Sequence, residues 1–116
     1  LPRLDAGSAG TLRRVVVVFR HGARFPTKPT PPLDTSFPQD PAFWRVSAGH
    51  LTQHGAAQLR HLGREMRRRY IDEAALVPAE GGDVGVAMYS SMVQRAIQSA
   101  YAFAEGLLPG APVLAA

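Results

Sequence analysis

Val15-Val16-Val17-Val18-Phe19-Arg20-His21-Gly22-Ala23-Arg24-Phe25-Pro26 is the stretch on which the reading of this chain turns. β-Branched and aromatic residues favour an extended backbone, and Gly22 and Pro26 end it. Residues 12–19 show no polar alternation, which predicts a strand buried on both faces, as in a parallel central sheet. That strand delivers Arg20, His21 and Arg24 to one point. A phosphate monoester carries negative charge on its oxygens and needs cationic groups around them. It also needs a nucleophile that works in a cationic field, and a neutral imidazole does so. With Arg20 and Arg24 flanking His21, the segment supplies both parts.

The composition agrees and narrows the options. A chain of 116 residues with 46% hydrophobic content is about one small domain with a core, not a disordered segment. No apolar run approaches the roughly 20 residues of a membrane-spanning helix. The net charge is +4, and Lys28 is the single lysine among the 13 basic side chains. That balance suits anionic partners in general without choosing among them. Cysteine is absent, which excludes thiol nucleophiles, disulfides and cysteine-ligated metals from this stretch. The chain opens on Leu1 with no apolar signal region, and it is read as a fragment or a processed piece.

Residues 1–11 are unpatterned and read as a loose lead-in. Between Pro26 and Gly49 stand six prolines (Pro26, Pro29, Pro31, Pro32, Pro38 and Pro41), a density that forbids a helix or an inner strand. This long loop is expected to lie beside the His21 motif, where a leaving group would sit. Thr52 is predicted to cap a helix running to about Tyr70. Leu59, Leu62, Met66 and Tyr70 form its apolar stripe, with Arg60, Arg64, Arg67 and Arg68 on the other side. Pro78 and Gly81-Gly82 mark a turn. Residues 84–89 read as a second buried strand. A second helix from Val93 to about Leu108 is predicted, capped by Ser90 or Ser91, with Val93, Ala96, Ile97, Ala100, Ala104 and Leu107 facing a core. Pro109-Gly110 stops it. Strand, long loop, helix, strand, helix suits an open α/β sheet, whose ligands bind beyond the carboxyl ends of the strands. Arg20-His21 and Ser90-Ser91 both lie at such ends.

Arg20-His21-Gly22-x-Arg24-x-Pro26 resembles the active-site signature of the histidine acid phosphatases of prostatic and lysosomal type. Three further segments are similar to that family: Leu51-Thr52 through Gln58, Leu62-Gly63 and Arg67 to Tyr70; Tyr89-Ser90-Ser91 through Arg95, Ser99 and Ala100; and Phe37-Pro38-Gln39-Asp40-Pro41. The resemblance runs from about Val15 to Pro109, and residues 12–109 are taken as the matching region. It implies an α/β fold, the N-terminal part of a phosphoglycerate mutase-like three-layer architecture with a central, largely parallel sheet flanked by helices. The C-terminal remainder of that domain is absent from the chain.

The resemblance also implies roles. His21 would be the nucleophile, forming a phosphohistidine that water hydrolyses, and Arg20, Arg24 and Arg95 would hold the phosphate oxygens. Arginine suits the task because its planar fork donates bidentately and stays protonated. The N-terminus of the helix after Ser91 would add a favourable dipole. The partner implied is a small-molecule or protein phosphate monoester, with no metal and no cofactor. A lysosomal or secretory location follows from the resemblance alone. The family's general acid belongs to a His-Asp motif, and this chain has no His-Asp pair.

An alternative function is a truncated or catalytically silent phosphate-binding remnant. Nucleic-acid binding ranks last, because aromatics are not interleaved with the arginines. His50, His54 and His61 show no metal-ligand spacing. The Arg67-Arg68-Arg69 run reads as a solvated helix face. Ser90 and Ser91 read as caps, since no Gly-x-Ser-x-Gly surrounds either.

Overall fold

The computed structural model describes residues 12–27, 48–78 and 85–110. Most of the proline-rich stretch and the Gly81-Gly82 turn lie outside the described residues. Two helices form the frame, α1 over Gln53–Arg67 and α2 over Gln94–Leu107. α1 starts as the sequence predicts. Thr52 is extended at φ −83° and ψ 165°, and its hydroxyl accepts from the Gly55 amide at 3.0 Å. One otherwise unpaired helix N–H is thereby satisfied, which is why threonine caps well.

The helical path outlasts the predicted end near Tyr70, because a π-helical turn over Arg68–Glu73 continues it. Its end closes through Leu76 N to Tyr70 O at 2.8 Å and Ala75 N to Ile71 O at 3.1 Å. Ala75 there adopts φ 51°. A left-handed backbone costs a residue with a Cβ about 1–2 kcal/mol, and glycine loses more freedom on folding. Ala75→Gly is therefore expected to stabilise the fold by about 0.5–1 kcal/mol in urea unfolding. A loss of stability would show that Ala75 packing outweighs its backbone.

α1 and α2 pack face to face around Leu59, Met66, Ala102 and Phe103, with Leu62, Tyr70 and Leu107 against them. The α1 stripe is the one the sequence predicts. The α2 face is predicted in part: Ala100 and Ala104 are buried, Leu107 packs on the core and Ala96 is half-buried, whereas Val93 and Ile97 are exposed, and the sequence reading omits the buried Ser99, Ala102, Phe103 and Gly106. Close approach explains the contact face. A Cβ on Gly63 would overlap the Phe103 carbonyl oxygen, and one on Gly106 would overlap the Arg60 carbonyl oxygen. The helices cross where neither has a side chain, so small residues set the closest contact, with Phe103 and Leu107 packing beside it and Val93 and Ile97 left outside.

The arginines also depart from expectation. Arg60 reaches Glu105 of α2 at 3.2 Å, and Arg67 donates to the Leu107 carbonyl at 2.9 Å. Arg68 is held by Glu65 and Glu73, whose hydrogen bonds and charges, the Glu65 hydrogen bond foremost, raise its guanidinium above the ordinary range. Arg69 lies 5.8 Å over the Tyr70 ring. The run 67–69 is thus half-buried and engaged, not a solvated face. Arg67 is drawn in by the carbonyl end of the second helix, which a single-helix pattern does not reveal, while Arg68 and Arg69 find partners along their own helical path. Nor do Ser90 and Ser91 cap α2. Val93 occupies the N-cap without a side-chain bond, and the Ser90 hydroxyl donates to the Ser91 carbonyl at 2.6 Å. α2 ends as expected, with Pro109 followed by Gly110 at φ 76°.

Residues 12–19 and 86–89 form neither a helix nor a β-ladder among the described residues, and Gly85 is a bend at φ 90°. One side of each run is covered by the helices. Val15, Phe19, Val86 and Met88 are half-buried toward the helices, while Val16 (79% exposed), Val18 (91%), Ala87 and Tyr89 face away. Phe19 stacks on Phe103 with ring centroids 4.5 Å apart. The predicted burial on both faces is therefore corrected to one face, because the described helices form a single layer. Between the two runs lies a groove of about 810 Å³, floored by Met66, Tyr70, Ala100, Phe103 and Leu107. The two runs do not pair across it. No described helix is long and apolar enough to cross a membrane.

Candidate active site

The extended run ends in a loop that both helices grip by its backbone. Ala23 O accepts from Thr52 N and from the Thr52 hydroxyl, each at 2.9 Å. Ala23 N donates to Gln58 Oε1 at 2.9 Å, and Gly22 N donates to Ser99 Oγ at 3.1 Å. Phe25 N donates to His50 O at 2.9 Å and Phe25 O accepts from Gly49 N at 3.1 Å, around an isolated antiparallel bridge between Arg24 and Leu51. Leu51 N in turn donates to Gln94 Oε1, at the start of α2, at 3.0 Å. Backbone meets backbone at Gly22 and Gly55, where a Cβ on Gly22 would come within 2.7 Å of the Gly55 Cα. That approach is what glycine permits at both positions.

His21 is half-buried, with Nδ1 2.8 Å from its neighbour's carbonyl, Gly22 O. A carbonyl only accepts, so this contact places the ring proton on Nδ1 and leaves the lone pair on Nε2. Arg20 is exposed beside it. Arg24 is half-buried and donates from Nη1 to Phe25 O at 3.3 Å. Arg95 sits in the first turn of α2, and its Nε is buried with no hydrogen-bond partner among the described residues. Its Nη1 lies beside Gly49, 3.5 Å from where a Cβ there would stand. Ser99 ties this arginine to the loop, donating to Arg95 O at 2.6 Å while accepting from Gly22 N.

His50 contributes its carbonyl, and His54 and His61 are exposed on α1. No group of three or more metal-ligating side chains forms among the described residues. The sequence assigns no role to Ser99, Gln58 or Gln94. Their signal is faint: polar side chains at helical spacing beside an apolar face.

The match of residues 11–112 to the family model of histidine phosphatase superfamily, branch 2, places this chain in that superfamily. It is 34% identical over 99 residues to the phytase AppA of Escherichia coli, covering 84% of this chain and 23% of that protein. It is 45% identical over 74 residues to bovine prostatic acid phosphatase, covering 60% of this chain and 17% of that protein. With mouse testicular acid phosphatase it shares 37% over 117 residues, covering 96% and 25%. Among solved structures, the phytase from Citrobacter braakii superimposes with a TM-score of 0.61 at 27% identity, covering 81% of this chain and 24% of that one. The chain thus spans about a quarter or less of the length of these relatives.

Proposed function

We propose that this chain carries the nucleophile and the cationic half of the phosphate site of a phosphomonoester hydrolase. The Nδ1–Gly22 carbonyl contact of His21 carries the reading, because it leaves Nε2 with a free lone pair at the head of an arginine-rich loop. Nε2 attacks phosphorus as the ester P–O bond breaks. The leaving oxygen takes a proton from a general acid. Water then attacks the phosphohistidine, releasing inorganic phosphate and restoring the imidazole. Arg20, Arg24 and Arg95 bind the equatorial oxygens, where a loose phosphoryl transition state gathers charge. The unpaired Nε of Arg95 favours its part, since a buried cationic donor gains most from an anionic acceptor. In the same reading, residues 12–19 and 85–89 belong to a central, largely parallel sheet.

Mixing the complete protein with a labelled phosphate ester and quenching in alkali, where phosphohistidine survives, tests the proposal. Label is expected on His21. Steady turnover with no acid-labile, alkali-stable phosphoenzyme would overturn the covalent route. Arg95→Ala is expected to weaken inhibition by inorganic phosphate about tenfold or more, the equivalent of one charge-assisted hydrogen bond. Equal inhibition of variant and wild type would remove Arg95 from the site.

A further inference from the structure

We propose that Ser99 is the positioning residue that sets the His21 ring, by fixing the Gly22 amide and Arg95 together through one buried hydroxyl. The inference rests on the phosphohistidine reading for its kinetic part and on geometry alone for the rest. Ser99 is 1% exposed and is the buried polar side chain of the described core. Burying a hydroxyl is unfavourable unless its hydrogen-bonding capacity is used, and here both directions are used. Donation to Arg95 O at 2.6 Å spends the only proton. A lone pair is thereby turned toward Gly22 N, 77 residues earlier in the sequence, at 3.1 Å.

The position of that amide matters because Gly22 is the pivot of the His21 ring. Gly22 N belongs to the peptide joining it to His21, and Gly22 O receives the His21 Nδ1 proton. The next peptide is pinned separately, by Ala23 N on Gln58. Both peptide planes that flank Gly22 are therefore held by side chains, Ser99 on one side and Gln58 on the other. Gly22 needs this more than another residue would, since nothing in its own chemistry restricts its backbone. Without Ser99 the plane between His21 and Gly22 is free to turn, and His21 loses its fixed direction toward the Gly22 carbonyl, which Gln58 still holds and which selects the Nδ1–H tautomer. The same hydroxyl takes its orientation from the turn of α2 that bears Arg95. Nucleophile and cation are thereby referred to one atom.

The test is Ser99→Ala in the complete protein, with two readouts. The first is the rate of phosphohistidine formation in a single turnover. The second, independent of turnover, is the nitrogen-15 shift pattern of the His21 ring, which reports its tautomer. Ser99→Ala is expected to slow phosphohistidine formation about tenfold or more while KM stays within about twofold, because geometry and not ground-state binding is lost. The ring spectrum is expected to pass from one Nδ1–H tautomer to a mixture. Formation at the wild-type rate would overturn the role. So would slow formation with an unchanged ring spectrum, which would make Ser99 a packing residue only. A wild type that never labels, yet loses its single tautomer in Ser99→Ala, would overturn the phosphatase reading and leave the positioning role standing.

Discussion

His21→Ala is expected to remove phosphohistidine formation altogether and to lower kcat by about a thousandfold or more, since the proposed mechanism then has no covalent partner for the phosphoryl group. The fold should hardly notice. The one hydrogen bond of the His21 ring goes to its own neighbour. The loop is pinned by Gly22 N, Ala23 N and Ala23 O, all backbone atoms that alanine leaves in place. Substitutions without buried partners usually cost less than about 1 kcal/mol. Activity and stability therefore separate in this variant, and urea unfolding beside stopped-flow turnover measures both. Phosphate should still inhibit the residual activity, because the arginines remain. Turnover close to wild type would place the nucleophile elsewhere and end the assignment.

That separation shows why the His21 motif could be read from the sequence while its supports could not. The motif is contiguous: Arg20, His21, Gly22, Arg24 and Pro26 fall within one short segment, and their chemistry follows from residue type. The Thr52 cap and the Leu59–Met66 stripe are equally local, so both helices could be placed with ends near those observed. Ser99 and Gln58 act on Gly22 and Ala23 across 77 and 35 residues, and no periodicity encodes such a pairing. The face of α2 is legible in part for a related reason. Apolar periodicity selects Val93, Ala96, Ile97, Ala100, Ala104 and Leu107, of which Val93 and Ile97 lie exposed, because the contact is decided by the absence of side chains at Gly63 and Gly106. Residues 12–19 and 86–89 are a different case. The described helices cover one side of each, and a ladder needs neighbours that the described residues do not include.

Gly106→Ala sets two effects of opposite sign against each other, and the crossing geometry decides between them. By helix propensity alone, alanine in the interior of α2 should stabilise by about 1 kcal/mol. By packing, its Cβ would overlap the Arg60 carbonyl oxygen and lie 2.9 Å from Arg64 N, both main-chain atoms of α1 that cannot rotate aside. Relief requires the helices to move apart, which withdraws Phe103 from Leu59 and Met66. Overpacking of this kind costs about 1–3 kcal/mol, and more where backbone resists. The expected net result is destabilisation by about 2 kcal/mol, with Gly63→Ala behaving alike because its Cβ would lie 2.9 Å from Leu107 N. The double variant should cost clearly less than the sum, since one separation accommodates both methyl groups. Function should fall with stability, because α1 carries Thr52 and Gln58 while α2 carries Ser99, and spreading them pulls on all three anchors of the His21 loop. A more stable Gly106→Ala would mean that the helices do not meet at these glycines, and the close crossing would have to be abandoned.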